Sequence, residues 1–202
     1  MKIIILNGTI GVGKLTTARK LADATEYPIL HNHLTRDLAV NFFKANSDAY
    51  TRLVWDIRLS VVKELVNDGR PGLIWTALLS SSPAIRKFYD DVEEIIHKTG
   101  GEVYYVNLFC DWEEQKRRVV SEDRKEHKKI FNVSEFEQRM KDIDLFTATP
   151  PDRTIEIDNT NLSPDEVAKK IIATFNLDEK KGELNNEKKS IDNPSKNIFK
   201  PH

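Results

Sequence analysis

Seven residues near the start of the chain, Gly8-Thr9-Ile10-Gly11-Val12-Gly13-Lys14, constrain its fold more than any other stretch. They satisfy G-x-x-x-x-G-K. They follow the apolar run Ile3-Ile4-Ile5-Leu6 directly and precede a segment, Lys14 to Ala24, in which Leu15, Ala18 and Leu21-Ala22 recur at helical spacing. A short continuous apolar run is the mark of a strand covered on both faces. Glycine admits backbone conformations with φ > 0, so successive N–H groups can turn toward one point. The helix that follows adds unpaired N–H groups and the positive end of its dipole. Lys14 supplies an ammonium for phosphate oxygens. Strand, glycine-rich turn and helix in this order predict an anion cradle of main-chain amides set in an α/β domain.

The rest of the chain alternates in the same way. Ile29-Leu30 reads as a short strand, and Leu34, Leu38 and Phe42 mark a second helix. Between Tyr50 and Val66, the residues Leu53, Val54, Ile57, Val61 and Leu65 form an amphipathic stripe. Leu73-Ile74-Trp75-Thr76 is the next strand. Ser82 and Pro83 suit a helix start, Ile85, Phe88, Val92 and Ile95-Ile96 its buried face, and Gly100-Gly101 its end. A strand over Val103 to Phe109 is followed by Asp111 and Glu114 at capping-box spacing, opening a helix to about Val120. Ser134 with Glu137 repeats that signal for a helix to about Leu145. Ile155-Glu156-Ile157 is a last strand, and Ser163-Pro164-Asp165-Glu166 opens a final helix with Val167, Ile171 and Phe175 inward. Five strands separated by helices predict a parallel, three-layer α/β domain over residues 1–177. From Asp178 to His202 charged and amide residues dominate. Apolar residues there are too sparse to offset ordering entropy, so the composition predicts a charged, disordered tail.

Composition narrows the function. Thirty-one basic against 32 acidic residues give a net charge of −1, which argues against nucleic acid as a partner. The basic cluster Arg124, Lys125, Lys128 and Lys129 is diluted by Glu122, Asp123 and Glu126. The single cysteine, Cys110, excludes a disulfide framework and a CxxC site and fits a reducing, cytoplasmic compartment. No apolar run approaches the length that spans a bilayer, so no membrane partner is expected. The four apolar residues after Lys2 are too few for a signal-peptide core.

The run ILNGTIGVGKLTTARKLA resembles the first strand, loop and helix of the P-loop small-molecule kinases, a group that includes nucleoside-monophosphate kinases, shikimate kinase, chloramphenicol phosphotransferase and tunicamycin-resistance-type ATP-binding proteins. The resemblance covers most of residues 1–177 and is strongest at the loop. It implies a three-layer P-loop NTPase fold with a five-stranded parallel sheet and a short lid segment. It also implies transfer of the γ-phosphoryl group of ATP, with Mg²⁺, to a small-molecule acceptor. The nucleotide would be held by Gly8, Gly11, Val12, Gly13, Lys14, Leu15 and Thr16. One position departs from the pattern: Leu15 stands where Ser or Thr usually coordinates Mg²⁺. Either Mg²⁺ is held through water, or the chain binds nucleotide poorly, or Leu15 is a recent substitution. Adenylate kinases likewise lack a hydroxyl after the lysine and place Thr next, where it contacts the α-phosphate; Thr16 matches that position.

In related kinases the segment after the second strand faces the acceptor. Here it reads His31-Asn32-His33-Leu34-Thr35-Arg36-Asp37. His33 or Asp37 could accept the hydroxyl proton, and Arg36 could hold an anionic acceptor. A polar helix start with a solvated Arg-Asp pair explains the same residues. Two histidines without a further ligand cluster do not make a metal site. Thr76 closes the third strand, and LIWTALLSSS offers no carboxylate where P-loop NTPases commonly place an Asp. Trp75 reads as core. Resemblance assigns Arg118 and Arg124 to phosphate or base contacts on the lid side, although a solvated charged loop also accounts for residues 121–129. It sets Asn161, in the loop after the last strand, beside the adenine ring. Leu15 and the missing carboxylate leave a second reading, a non-catalytic or slowly hydrolysing ATP-binding protein with a resistance or regulatory role. Acceptor pockets in this group are built by variable helices, so neither the acceptor nor an oligomeric state is written in the chain.

Overall fold

The computed structural model describes residues 1–80, 82–120, 133–140 and 149–180. Strand β1 (Lys2–Asn7) runs into the glycine loop and helix α1 (Lys14–Thr25). Then come β2 (Ile29–Leu30), α2 (Asn32–Ala39), α3 (Asp48–Asn67), β3 (Gly72–Thr76), α4 (Pro83–His97), β4 (Glu102–Phe109) and α5 (Trp112–Val119). Helix α6 (Val133–Met140), a 3₁₀ turn at Pro151–Arg153, β5 (Thr154–Asp158) and α7 (Pro164–Phe175) complete the described chain. The five strands form one all-parallel sheet in the order β2-β3-β1-β4-β5, with β1 central.

The continuous apolar run in β1 follows from that central place. Ile4 and Leu6 pack with Ala18 and Leu21 of α1 and Val167 and Ile171 of α7 on one face. Ile3 and Ile5 pack on the other with Val62 of α3 and Phe88, Val92 and Ile96 of α4. All four strand side chains are fully buried. Burial at ~1.5–3 kcal/mol per large aliphatic side chain makes β1 the chief hydrophobic anchor of the sheet. The domain is therefore the expected three-layer α/β sandwich. At α7 the Ser163–Glu166 capping box is complete: Ser163 accepts from the Glu166 N–H while the Glu166 carboxylate accepts from Ser163.

Three local expectations are corrected. Helix α2 ends at Ala39 and packs through Thr35 and Ala39, leaving Leu34, Leu38 and Phe42 outward; Phe42, beyond the helix, is 69% exposed. On α3 the buried line is Tyr50, Val54, Arg58 and Val62, one position later than most of the apolar stripe. Asp111 stands at the N-cap of α5 but its side chain makes no capping hydrogen bond, and the Glu114 carboxylate that would complete the capping box is taken by Arg117 and Arg118.

Of the expected tail only residues 178–180 are described. The Lys180 N–H donates to the Ala24 carbonyl at 2.7 Å, and its ammonium pairs with Glu26 at 3.2 Å. Residues 181–202, most of the expected lid including Arg124, and the stretch 141–148 lie outside the described residues. Among those described, no helix is long and apolar enough to cross a membrane.

Candidate nucleotide and acceptor site

The glycine loop leaves the sheet at its centre. Register pairs Leu6 with Thr76 and Asn7 with Asn107, so the loop emerges beyond the carboxyl ends of β3 and β4, where open α/β sheets bind ligands. Gly8 (φ +150°) lies so close to β4 that a Cβ there would sit 2.5 Å from the Leu108 carbonyl oxygen. Gly13 (φ +92°) is the N-cap of α1 in the left-handed region that side chains disfavour. No side chain caps α1 and its first turn carries no acid, so the positive end of the helix opens on the loop.

The hydrogen bonds of the loop are lopsided. Its carbonyls have protein donors: Lys14 Nζ reaches the oxygens of Gly8 (2.6 Å) and Thr9 (2.7 Å). Gln115 Nε2 donates to the Ile10 oxygen at 2.6 Å and also to the Thr9 hydroxyl, and Asn159 Nδ2 donates to the Val12 oxygen at 2.7 Å. Among the described residues, the N–H groups of Thr9 to Gly13 donate to no protein acceptor. Carbonyls engaged and amides left over are what an anion cradle requires. Below it, buried Asn7 donates to Asn107 Oδ1 at 2.9 Å and accepts from the Leu79 N–H at 2.9 Å, while Asn107 donates to the Thr149 hydroxyl at 3.1 Å. That amide chain braces the base of the loop from both neighbouring strands.

Beside the cradle lies a hollow of about 200 Å³ lined by Gly13, Thr16, Glu114, Arg118, Asn159 and Leu162, among others. Arg118 spans its rim. Its Nε donates to Glu114 at 2.6 Å, Nη1 to Asn159 Oδ1 at 3.0 Å, and Nη2 to the carbonyls of Asn159 (2.9 Å) and Thr160 (3.3 Å). Hydrogen bonds from Arg117 and Arg118 pull the Glu114 carboxyl down to about 2. Asn161 is exposed, two residues beyond Asn159, which is buried and joins Arg118 to the loop. Sequence reasoning missed Asn159 and Gln115. A signal for Gln115 exists, since it stands three residues before Arg118 and so shares its helix face. Burial pushes the Cys110 thiol up, away from reactivity.

Across the loop, β2 ends beside β3. The Asn32 N–H donates to the Thr76 hydroxyl at 3.1 Å, so buried Thr76 anchors the start of α2. His33 Nδ1 lies 3.6 Å from Asp37 Oδ1 with both side chains exposed, and the His31 and His33 rings stack at 5.1 Å. Arg36 Nε donates to the Tyr50 hydroxyl at 2.9 Å. Arg58 reaches in from α3: Nε donates to the Thr35 hydroxyl at 3.0 Å, and Nη2 to the Asn32 carbonyl at 3.1 Å and its side-chain oxygen. Trp75 is fully buried, as expected, with the Arg58 guanidinium 5.9 Å from its ring centre. The described residues contain no group of three or more His, Cys, Asp or Glu placed to hold a metal ion.

A five-stranded parallel sheet in this order, with a glycine-lysine loop after its central strand, is the fold of the P-loop kinases. No protein-family model and no curated protein sequence matches the chain. Solved structures do. The tunicamycin resistance protein of Deinococcus radiodurans is similar at a TM-score of 0.59 and 18% identity, over 88% of this chain and 97% of that one. The APS kinase of Mycobacterium tuberculosis, solved with AMPPNP and APS, gives 0.54 and 17%, over 87% and 97%. The shikimate kinase of Acinetobacter baumannii, solved with shikimate, gives 0.51 and 16%, over 86% and 92%.

Proposed function

We propose that this chain is an ATP-dependent phosphotransferase that moves the γ-phosphoryl group to a small-molecule acceptor. The observation that carries the reading is the loop itself: N–H groups that donate to no acceptor among the described residues, engaged carbonyls and Lys14, at the centre of a sheet whose solved likenesses include an APS kinase and a shikimate kinase. The site fits a nucleotide. Main-chain amides of Gly8 to Gly13, with Leu15 and Thr16 at the first turn of α1, would cradle the phosphates. Lys14 would exchange its two carbonyl partners for phosphate oxygens. Arg118 and Asn159 would border the hollow on the base side, with Asn161 at its edge. Arg118, and Arg124 from the segment after α5, would stabilise charge on the transferring group.

Leu15 offers no hydroxyl, so the chain's donors suit Mg²⁺ that keeps its waters and rests on the phosphates; when bound it neutralises phosphate charge. His33 and Asp37 stand on the acceptor flank at a spacing that lets the pair take a proton. As the acceptor oxygen bonds to the γ-phosphorus and the bond to the bridging oxygen of ADP breaks, the hydroxyl proton passes to that pair. ATP supply and a reduced Cys110 are both met in the cytoplasm, where we place the protein.

Leu15 and the absence of a carboxylate at Thr76 favour a second reading, an ATP-binding protein that turns over slowly or not at all. One experiment separates the two. The chain is incubated with ATP, Mg²⁺ and pools of nucleotides, sugars, hydroxy acids and amino alcohols, with ADP release and product masses recorded. Acceptor-dependent ADP and a product heavier by one phosphoryl group support the kinase. ATP binding without them supports the second reading, and failure to bind ATP overturns both.

A further inference from the structure

The loop's carbonyls are held by two kinds of donor. Lys14, a cation, holds those of Gly8 and Thr9. Neutral amides hold two others: Gln115 Nε2 donates to the Ile10 oxygen at 2.6 Å and Asn159 Nδ2 to the Val12 oxygen at 2.7 Å. The difference matters when an anion arrives. A phosphate draws an ammonium to itself and frees the carbonyls it held, whereas an amide has no net charge to be drawn. The grip of Gln115 and Asn159 therefore persists in a loaded loop.

Each grip also aims an N–H. No described peptide is cis, and in a planar trans peptide the C=O and N–H point in opposite directions. Ile10 shares its peptide with Gly11, and Val12 shares its own with Gly13. With the Ile10 carbonyl drawn toward α5, the Gly11 N–H faces away from α5. With the Val12 carbonyl drawn toward Asn159, the Gly13 N–H faces away from the turn after β5. Both peptides lead into one backbone conformation, φ +91° at Gly11 and +92° at Gly13, which side chains disfavour. The same construction thus occurs twice, at alternate residues of the loop.

Gln115 is spent wholly on the loop. It is 5% exposed, and both hydrogens of its amide are used, one on the Ile10 carbonyl and one on the Thr9 hydroxyl. Burying a primary amide costs free energy that a leucine of similar size would not incur, so packing alone does not explain it. Its helix is pinned as well: Arg118, on the next turn of α5, donates to the Asn159 side chain and to the carbonyls of Asn159 and Thr160.

We infer that Gln115 is a positioning residue for phosphate binding: by holding the Ile10 carbonyl it presents the Gly11 N–H to a phosphate oxygen, as Asn159 does for Gly13. Gln115 itself touches no phosphate. The inference rests on the phosphotransferase reading only so far as both need a nucleotide in the loop; it does not depend on transfer to an acceptor.

The test uses the full chain with isotopically labelled glycine, titrated with ADP and Mg²⁺ and followed by calorimetry and NMR. In the parent the Gly11 and Gly13 amide protons both move downfield at saturation, as hydrogen bonds to an anionic oxygen require. Gln115→Leu, which keeps the size but removes the donors, weakens ADP binding on the order of tenfold. At saturation it loses the Gly11 displacement and keeps that of Gly13, and Asn159→Ala does the reverse. A merely structural role would loosen the loop as a whole and move both amides together, and that result overturns the inference. So does parent-like ADP affinity in Gln115→Leu, or a Gly11 amide that stays in place in the parent. Should Gln115→Leu not fold, Gln115→Glu, which sets a carboxylate against the Ile10 carbonyl, must give the same selective loss. If the parent binds no ADP, this inference and the phosphotransferase reading fall together. Selective loss in a chain that phosphorylates no acceptor keeps the positioning role and removes the kinase.

Discussion

Asn159→Ala tests the construction of the site at its most connected point. The amide of Asn159 is one joint between three elements: it donates to the Val12 carbonyl of the loop and accepts from Arg118 of α5, while its own backbone continues β5. Val12 is 1% exposed, so its carbonyl gains no water when the donor is removed. Stranding a buried acceptor costs ~1–3 kcal/mol. The lost bond from Arg118 adds about 0.5–1 kcal/mol, less than a full charge-assisted bond because Arg118 keeps Glu114 and two backbone carbonyls. The sum is roughly 2–4 kcal/mol, or a fall in Tm of roughly 4–16 °C for a domain of this size. Urea unfolding gives the stability directly, and fluorescence titration with a labelled ATP gives the affinity. Both should fall in Asn159→Ala. Asn159→Asp keeps an acceptor for Arg118 but sets a carboxylate oxygen against the Val12 carbonyl, so it should lose nucleotide affinity at least as severely. An alanine variant within 0.5 kcal/mol of the parent, with unchanged affinity, would refute the idea that this amide holds the loop in shape.

Other perturbations bear on the same site. Gly8→Ala places a methyl group against the Leu108 carbonyl and the Val12 side chain, 2.8 Å away, so it should destabilise by ~1–3 kcal/mol and abolish ATP binding, read by thermal unfolding with and without nucleotide. Lys14→Ala should fold normally, since its bonds are to partly buried carbonyls, yet lose ~3–4 kcal/mol of transition-state stabilisation, seen as a 10²–10³-fold lower kcat. Leu15→Ser should retain or raise Mg²⁺-dependent turnover; collapse of nucleotide affinity would contradict a water-held ion.

The strand-loop-helix unit was legible because its signals are local: four apolar residues, a glycine pattern and a helical spacing, all within residues 3–24. Sheet strands were legible for the same reason. What escaped depends on neighbours. Leu34, Leu38 and Phe42 have the spacing of a buried stripe, yet α2 is rotated so that the Thr35 hydroxyl meets Arg58. The same contact puts Arg58 on the buried line of α3, where hydropathy favours Ile57 and Val61. Glu114 has capping-box spacing, but two arginines on the next turn compete successfully for its carboxylate. Asn159 and Asn161 are alike in sequence; only the return of the chain from β5 toward Val12 makes the first a structural joint. The place and backbone shape of the loop were therefore readable, whereas polar partnerships between elements were not.

The central position of β1 has a consequence for synthesis. Its partners are β3 and β4, which end at Thr76 and Phe109, so β1 cannot be paired on both edges until β4 has also left the ribosome. At ~5–20 residues per second that interval is roughly 5–20 s, during which Ile3 to Leu6 offer an uncharged, strongly strand-forming segment to any neighbour. Lys2 on one side and Asn7-Gly8 on the other are the only breaks in it. Yield from an expression host should accordingly depend on holdase chaperones during elongation more than on the stability of the finished domain.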